Sequence, residues 1–248
     1  MQKDLRDFTM MLADNSMILG QRLAEWCGHG PILEQDIALT NIALDLIGEA
    51  RNYYQYLANE EGKEEDDYPM RRDARSFKNV LLVEQPNGNW GDTIIRQLLF
   101  DCWHYYHLEA MTRSNDETLA SIAKKSIKEA AYHITFSGEW TIRLGDGTDE
   151  SHQKMQDALE RLIPFFEEIF MAADYEQVCQ STGISPDLSS IKDQAYARLN
   201  DVITKATLKM PDQYFNKKGG KTGLHSEYLG HLLSDMQFLQ RAYPGGTW

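Results

Sequence analysis

The stretch Lys128–Phe136, KEAAYHITF, carries an imidazole where a helix could offer a metal ligand. Helical bundles that hold two irons draw on Glu-x-x-His, a carboxylate and an imidazole at i and i+3 on one inward face. Here His133 is present, but Ala130 stands three residues before it. The nearest acid, Glu129, lies about 100° further round the helix. No Glu in the chain is followed three residues later by His; the nearest patterns use Asp, at Asp101-Cys-Trp-His104 and Asp149-Glu-Ser-His152. The second opens a helix, where an acid suits the dipole, so it reads as a helix start.

Asp101 falls on the line Ile94, Leu98, Asp101, Tyr105, Leu108, spaced 4-3-4-3, which turns it inward with His104 one helical step away. His133 falls on a second line, Leu119, Ala123, Ser126, Ala130, His133, Ser137, whose small residues allow helices to approach closely. The run IALTNIALDLIG reads as the centre of a helix buried on nearly all sides, and Asp45 within it and Glu49 just after it are polar residues of that apolar helix. Buried carboxylates and imidazoles without metal need hydrogen-bond partners. The expected reading of Asp45, Glu49, Asp101, His104, Ala130 and His133 is a degenerate di-iron constellation: no metal and no catalytic residue in this chain. A di-iron enzyme using Asp45, Glu49, Asp101, His104 and His133 in an unusual arrangement is the alternative. A third reading, an iron-storage ferritin-like protein, needs a carboxylate-rich ligand spacing that this chain lacks.

The segment NKKGGKTGLH contains Gly-Lys-Thr, but a phosphate-binding G-x-x-x-x-G-K-[ST] loop fails at its first position, Phe215, and no strand precedes it. Lys217, Lys218 and Lys221 remain as a candidate contact for a phosphate or an acidic partner. The aromatics Tyr53, Tyr54, Tyr56, Trp103, Tyr105 and Tyr106 read as core or as a protein interface.

The elements that must position these residues are helices. Leu5, Phe8, Leu12, Leu19, Leu23 and Trp26 form a stripe ended by Gly28 and Gly30; a second helix runs from Pro31 to about Glu61. Residues 62–91 are irregular. Asp92 caps a third helix, Ser114-x-x-Glu117 boxes a fourth to Gly145, and a fifth runs from about Asp149 to Thr182 with Pro164 as kink or break. Two more cover about Ser185–Leu208 and His225–Ala242. The prediction is all-α: a ferritin-like four-helix bundle with additional C-terminal helices, in one domain over 1–248, the bundle at about 3–145 and the additional helices at about 149–242.

The totals exclude several functions. A net charge of −13 over 248 residues opposes binding to nucleic acid or to anionic membrane. Neither a signal peptide nor an apolar run of membrane-spanning length is evident. The three cysteines, Cys27, Cys102 and Cys179, read as reduced core thiols, which predicts a cytoplasmic location.

The segments RLAEWCGHGPILEQDIALTNIALDLIGEARNYY, LLVEQPNGNWGDTIIRQ, KEAAYH, RLGDGTDESHQKMQ and GGKTGLHSEYLGHLLSDMQFLQRAYPG, in this order, resemble the helical subunits of the phenylacetyl-CoA epoxidase family over essentially the whole chain. The resemblance implies a place in a multicomponent monooxygenase of aerobic phenylacetate breakdown. In that family one of the subunits holds the di-iron centre and binds the CoA thioester, and a reductase subunit delivers electrons from NADPH. The branch that this chain resembles is a structural partner of the catalytic subunit. Against the catalytic pattern Asp-Glu-Ala-Gly-His this chain reads Asp45-Leu46-Ile47-Gly48-Glu49. Against Lys-Glu-Glu-Ser-Phe-His it reads Lys128-Glu129-Ala130-Ala131-Tyr132-His133. The implied cofactors are therefore none in this chain, and the implied partners are the homologous di-iron subunit and further subunits of the complex.

Overall fold

A computed structural model describes residues 1–246, and among them every regular element is helical. In chain order the α-helices are α1 (Lys3–Ala24), α2 (Leu33–Glu61), α3 (Asp67–Arg71), α4 (Trp90–Met111), α5 (Glu117–Gly145), α6 (Asp149–Leu162), α7 (Asp174–Ser181), α8 (Leu188–Lys205), α9 (Glu227–Met236) and α10 (Phe238–Ala242). They gather into two compact units. The first comprises Met1–Gln85, Ala173–Glu176 and the chain from Lys218; the second comprises Pro86–Ala172 and Gln177–Lys217. Each is built on one long helical pair, α1 with α2 and α4 with α5. Among the described residues no helix is long and apolar enough to cross a membrane.

In the first unit α1 is buried on all sides over most of its length, from Asp7 through Gly20. It lies close enough to α2 that a Cβ on Gly20 would come within 2.9 Å of Ile47 Cγ1, so a side chain there would push the helices apart. Full burial obliges the polar residues of α1 to find partners. Asp14 accepts from Tyr54 Oη (2.7 Å) and from the Lys78 N–H (2.8 Å), and pairs with the Arg72 guanidinium. Asn15 accepts from the Val80 N–H at 2.8 Å, and Ser16 donates to Glu49 at 3.1 Å. These bonds pin the connection after α2, which holds α3 and a 3-10 turn at Ala74–Ser76 where the sequence predicted only irregular chain.

The C-terminal helices are tied to the same connection. Glu84, fully buried, accepts from the Ser226 N–H (2.7 Å), from Asn79 Nδ2 (3.1 Å) and from His225 Nδ1 (2.9 Å). The other ring nitrogen of His225 lies 3.0 Å from the Phe77 carbonyl oxygen. Both nitrogens face acceptors, an arrangement that favours the imidazolium form. Gln237 interrupts the predicted His225–Ala242 helix, and its side-chain amide donates to the carbonyls of Pro69 and Arg72.

In the second unit the helix starts differ from expectation by local capping chemistry. Asn89, not Asp92, caps α4: its Oδ1 accepts from the N–H groups of Gly91 and Asp92, while Asp92 Oδ2 accepts from the Asn89 N–H in a reciprocal box. Asp116, not Ser114, caps α5 through the Leu119 N–H at 2.9 Å; Ser114 donates instead to the Ile184 carbonyl. The predicted helix to Thr182 breaks after Leu162, with Pro164 in a 3-10 turn. Cys102 and Cys179 are buried as expected, whereas Cys27 is exposed just beyond the end of α1.

Two stability outcomes follow. Asp14→Ala leaves the Arg72 guanidinium without its buried partner and is expected to cost about 3–5 kcal/mol, read as a lower urea midpoint; a loss near zero would show that the network is not stabilising. His225 is the second. Burial lowers its pKa, but the Glu84 bond, the Phe77 carbonyl and the charges of Glu84 and Asp14 raise it further, for a net rise above 6.5. A group raised in the folded state stabilises fully below its unfolded value, and that contribution fades as pH rises through the folded value. The stability gap between the wild type and His225→Gln should therefore narrow above about pH 6.5. A gap that widens would show that the ring is neutral.

Candidate functional site

The second unit brings together Asp101 of α4 and His133 of α5, as the two inward lines predicted. All six residues of the His133 line are buried. Four of the five on the Asp101 line are buried, with Tyr105 half-buried. One helix supplies the carboxylate and its nearest amide: Gln97, one turn earlier on α4, donates to Asp101 Oδ1 at 2.7 Å. The other helix supplies a hydroxyl, with Ser137 Oγ donating to Asp101 Oδ2 at 2.7 Å. Both carboxyl oxygens are thus engaged by protein donors. Burial pushes the Asp101 carboxyl up from 3.8; His133, Ser137, His104 and Gln97 pull it back in that order, and burial prevails. His104 is buried among aromatics, its ring 4.9 Å from Phe100 and 5.9 Å from Trp103. Ala130, three residues before His133, presents a buried methyl group.

In the first unit, Leu46 is fully buried, Asp45 is half-buried and Glu49 is buried against Ser16 of α1. Of the cations near these residues in sequence, Arg51 pairs with Glu65 at the surface, 2.7 Å away, and Lys128 is exposed. Among the described residues no three His, Cys, Asp or Glu side chains gather as a group able to hold a metal ion. The donors do not fit a di-iron centre. Ala130 and Leu46 offer a methyl and an isobutyl group, which cannot ligate a metal, and the Asp101 carboxyl has both oxygens committed to amide and hydroxyl donors.

The Asp149 and His152 pair is a helix start, as expected: Thr148 caps α6 and His152 Nδ1 lies 2.7 Å from the Gly145 carbonyl oxygen. Lys221 departs from expectation. It is buried, and its ammonium donates to both carboxylate oxygens of Glu176 at 2.9 and 3.0 Å, so it is not a solvent-facing cation. Lys217 and Lys218 are exposed. Steric fit accounts for a glycine of this segment, since a Cβ on Gly220 would sit 2.1 Å from the Asn79 carbonyl oxygen. Of the six singled-out aromatics none is exposed: Tyr53, Tyr54 and Trp103 are buried, and Tyr56, Tyr105 and Tyr106 are half-buried.

Sequence reasoning missed Gln97, Ser137, Ser16, Glu176 and the Glu84–His225 pair as partners. Gln97 carried a usable signal, its i,i+4 spacing to Asp101. The rest are long-range contacts with no local signature.

Fold and site together define an all-α protein with paired long helices and a buried polar cluster around Asp101. A family model described as phenylacetic acid catabolic protein matches residues 1–248. The chain belongs to that family. It is similar to the C component of the 1,2-phenylacetyl-CoA epoxidase of Escherichia coli (strain K12), with 47% identity over 245 residues, covering 98% of this chain and 99% of that protein.

The bonding of Asp101 is open to test. Asp101→Leu leaves the Ser137 hydroxyl and the Gln97 amide buried without an acceptor, and is expected to cost about 1–3 kcal/mol for each donor stranded. Asp101→Asn keeps an acceptor of the same shape and should cost clearly less. Equal losses in chemical denaturation would show that the two donors do not depend on this residue.

Proposed function

We propose that this chain is a non-catalytic structural subunit of a multicomponent di-iron monooxygenase, one that epoxidises the ring of phenylacetyl-CoA in aerobic phenylacetate degradation. Its partner is a homologous catalytic subunit that carries the irons and binds the CoA thioester. A reductase subunit supplies electrons from NADPH, and the assembly is cytoplasmic. The observation that carries the reading is the chemistry at the ligand positions: methyl and isobutyl groups at Ala130 and Leu46, and an Asp101 carboxyl saturated by Gln97 and Ser137. The likeness to an epoxidase component over 98% of this chain supplies the substrate class.

Within the assembly, the residues of this chain do packing work. Asp101, Ser137 and Gln97 hold α4 to α5 by hydrogen bonds, and Glu49 with Ser16 holds α2 to α1. Each pair of helices then presents a fixed outer surface to other subunits.

Metal analysis of the chain purified alone from iron-replete cells tests the reading. The expected result is iron far below one atom per chain, no oxygen consumption alone, and epoxidation of phenylacetyl-CoA only after the di-iron and reductase subunits are added. About two irons per chain, lost together with an oxygen-dependent activity, would overturn it and make this chain a di-iron enzyme with an atypical ligand set.

A further inference from the structure

The sequence predicted that IALTNIALDLIG would be buried nearly all round, and on one face it is not. Leu33 is 71% exposed, Ile37 53% and Leu44 61%, with Ile32 beside them at 52%. The spacings of four and seven put Leu33, Ile37 and Leu44 within about 40° of one another on α2. Single exposed apolar side chains are ordinary on a protein surface, but several large ones on one face of a helix, here with Thr40 and Asn41 between Ile37 and Leu44, mark an interaction surface.

Gly48 continues the same line one turn beyond Leu44. A Cβ built there would meet nothing within 4 Å. Glycine inside a helix is destabilising relative to alanine, and its usual compensation is close approach of another backbone. Gly20 has that compensation within the chain, in Ile47. Gly48 has none within the chain, although its helix presents three large apolar residues on the same side.

Charge narrows the occupant. Between Leu33 and Gly48 the helix carries Glu34, Asp36 and Asp45 and no Lys or Arg. Two copies laid face to face would set these acids against each other, in a chain already at −13. The face suits an apolar helix edged with basic residues.

We propose that the outward face of α2, Leu33 to Gly48, docks a helix of another subunit of the complex, one whose apolar side chains are flanked by Lys and Arg and whose small or flat surface settles over Gly48. This rests on the subunit reading above. The docked length is about 22 Å, four helical turns.

The test measures binding of the purified chain to a purified, co-purifiable probe, the homologous di-iron subunit from the same genome. Leu44→Glu is expected to weaken the pair at least ten-fold without lowering the melting temperature of the free chain, because the side chain is already in water. Glu34→Lys should weaken it as well, and more at low salt than at high. Gly48→Ala should show opposite signs in the two assays: a higher melting temperature for the free chain and weaker pairing. Leu224→Ser, exposed but remote in sequence from α2, is the control and should leave pairing unchanged.

If the wild type pairs and Leu44→Glu and Gly48→Ala pair equally well, the face is wrong while the subunit reading stands. If the wild type does not bind the di-iron subunit at all, that reading falls and the proposal with it. Self-association of the chain that Leu44→Glu abolishes would replace the proposed partner with a second copy.

Discussion

Asp14 sits fully buried in the middle of a helix that solvent hardly touches, and a carboxylate in that setting is tolerable only when donors surround it. Its donors come from α2 (Tyr54), from the connection beyond it (Arg72) and from the backbone of Lys78. Three separate stretches of chain are therefore fixed by one side chain. The same rule operates at Glu84, which gathers Asn79, His225 and Ser226, and at Glu176, which holds Lys221 and the Ala173 N–H. In the second unit it operates at Asp101. Apolar burial supplies most of the driving force for the helices to collapse. It does not specify which of many collapsed arrangements forms, and these directional contacts do.

On the proposed reading, the loss of a metal centre is, by the same rule, a problem of charge neutralisation. Two irons bring positive charge that balances several carboxylates; without them, the same carboxylates would repel one another in a low-dielectric interior. Substitution solves part of this by deleting acids, as at Leu46 and Ala130. Donor supply solves another part, with Gln97 and Ser137 saturating Asp101 and Ser16 meeting Glu49. Burial still raises the pKa of Asp101 despite these donors and two imidazoles nearby. Hydrogen bonding thus takes over the tying of helix to helix that metal ligation performs elsewhere.

The helices were legible in the sequence because the 3.6-residue period spans long segments: the inward lines through Asp101 and His133 came out buried residue by residue, with Tyr105 alone half-buried. The absence of Glu-x-x-His was equally legible, being local. Capping was misread by two to three residues at Asn89 and Asp116, where two candidate acceptors compete and only geometry decides between them. The buried state of Lys221 was not legible at all. A lysine between glycines looks solvent-exposed until Glu176, 45 residues away, is known to receive it, and no pattern along the chain announces a pair of that separation. For the same reason the Gly-rich segment resembled a phosphate loop, although Gly220 serves close packing against the connection after α2.

The misreading of α2 has a different origin. A helix apolar on all sides must be covered on all sides somewhere, and periodicity does not say by which chain. Half of the covering of α2 is internal: Leu39, Ile42, Ala43 and Leu46 are buried. The other half, the line of Leu33, Ile37 and Leu44 leading to Gly48, is left to solvent in the isolated chain. Sequence reading assigned that apolarity to the fold because periodicity alone does not separate a buried face from a docking face. For a subunit the two differ, and the apolar excess on a helix is then information about assembly. A catalytic subunit must keep its ligand residues whatever its surface does. A subunit whose ligand positions have become methyl and isobutyl groups is under no such demand, and what it must still keep is the internal network that fixes its outer faces and the composition of the faces themselves.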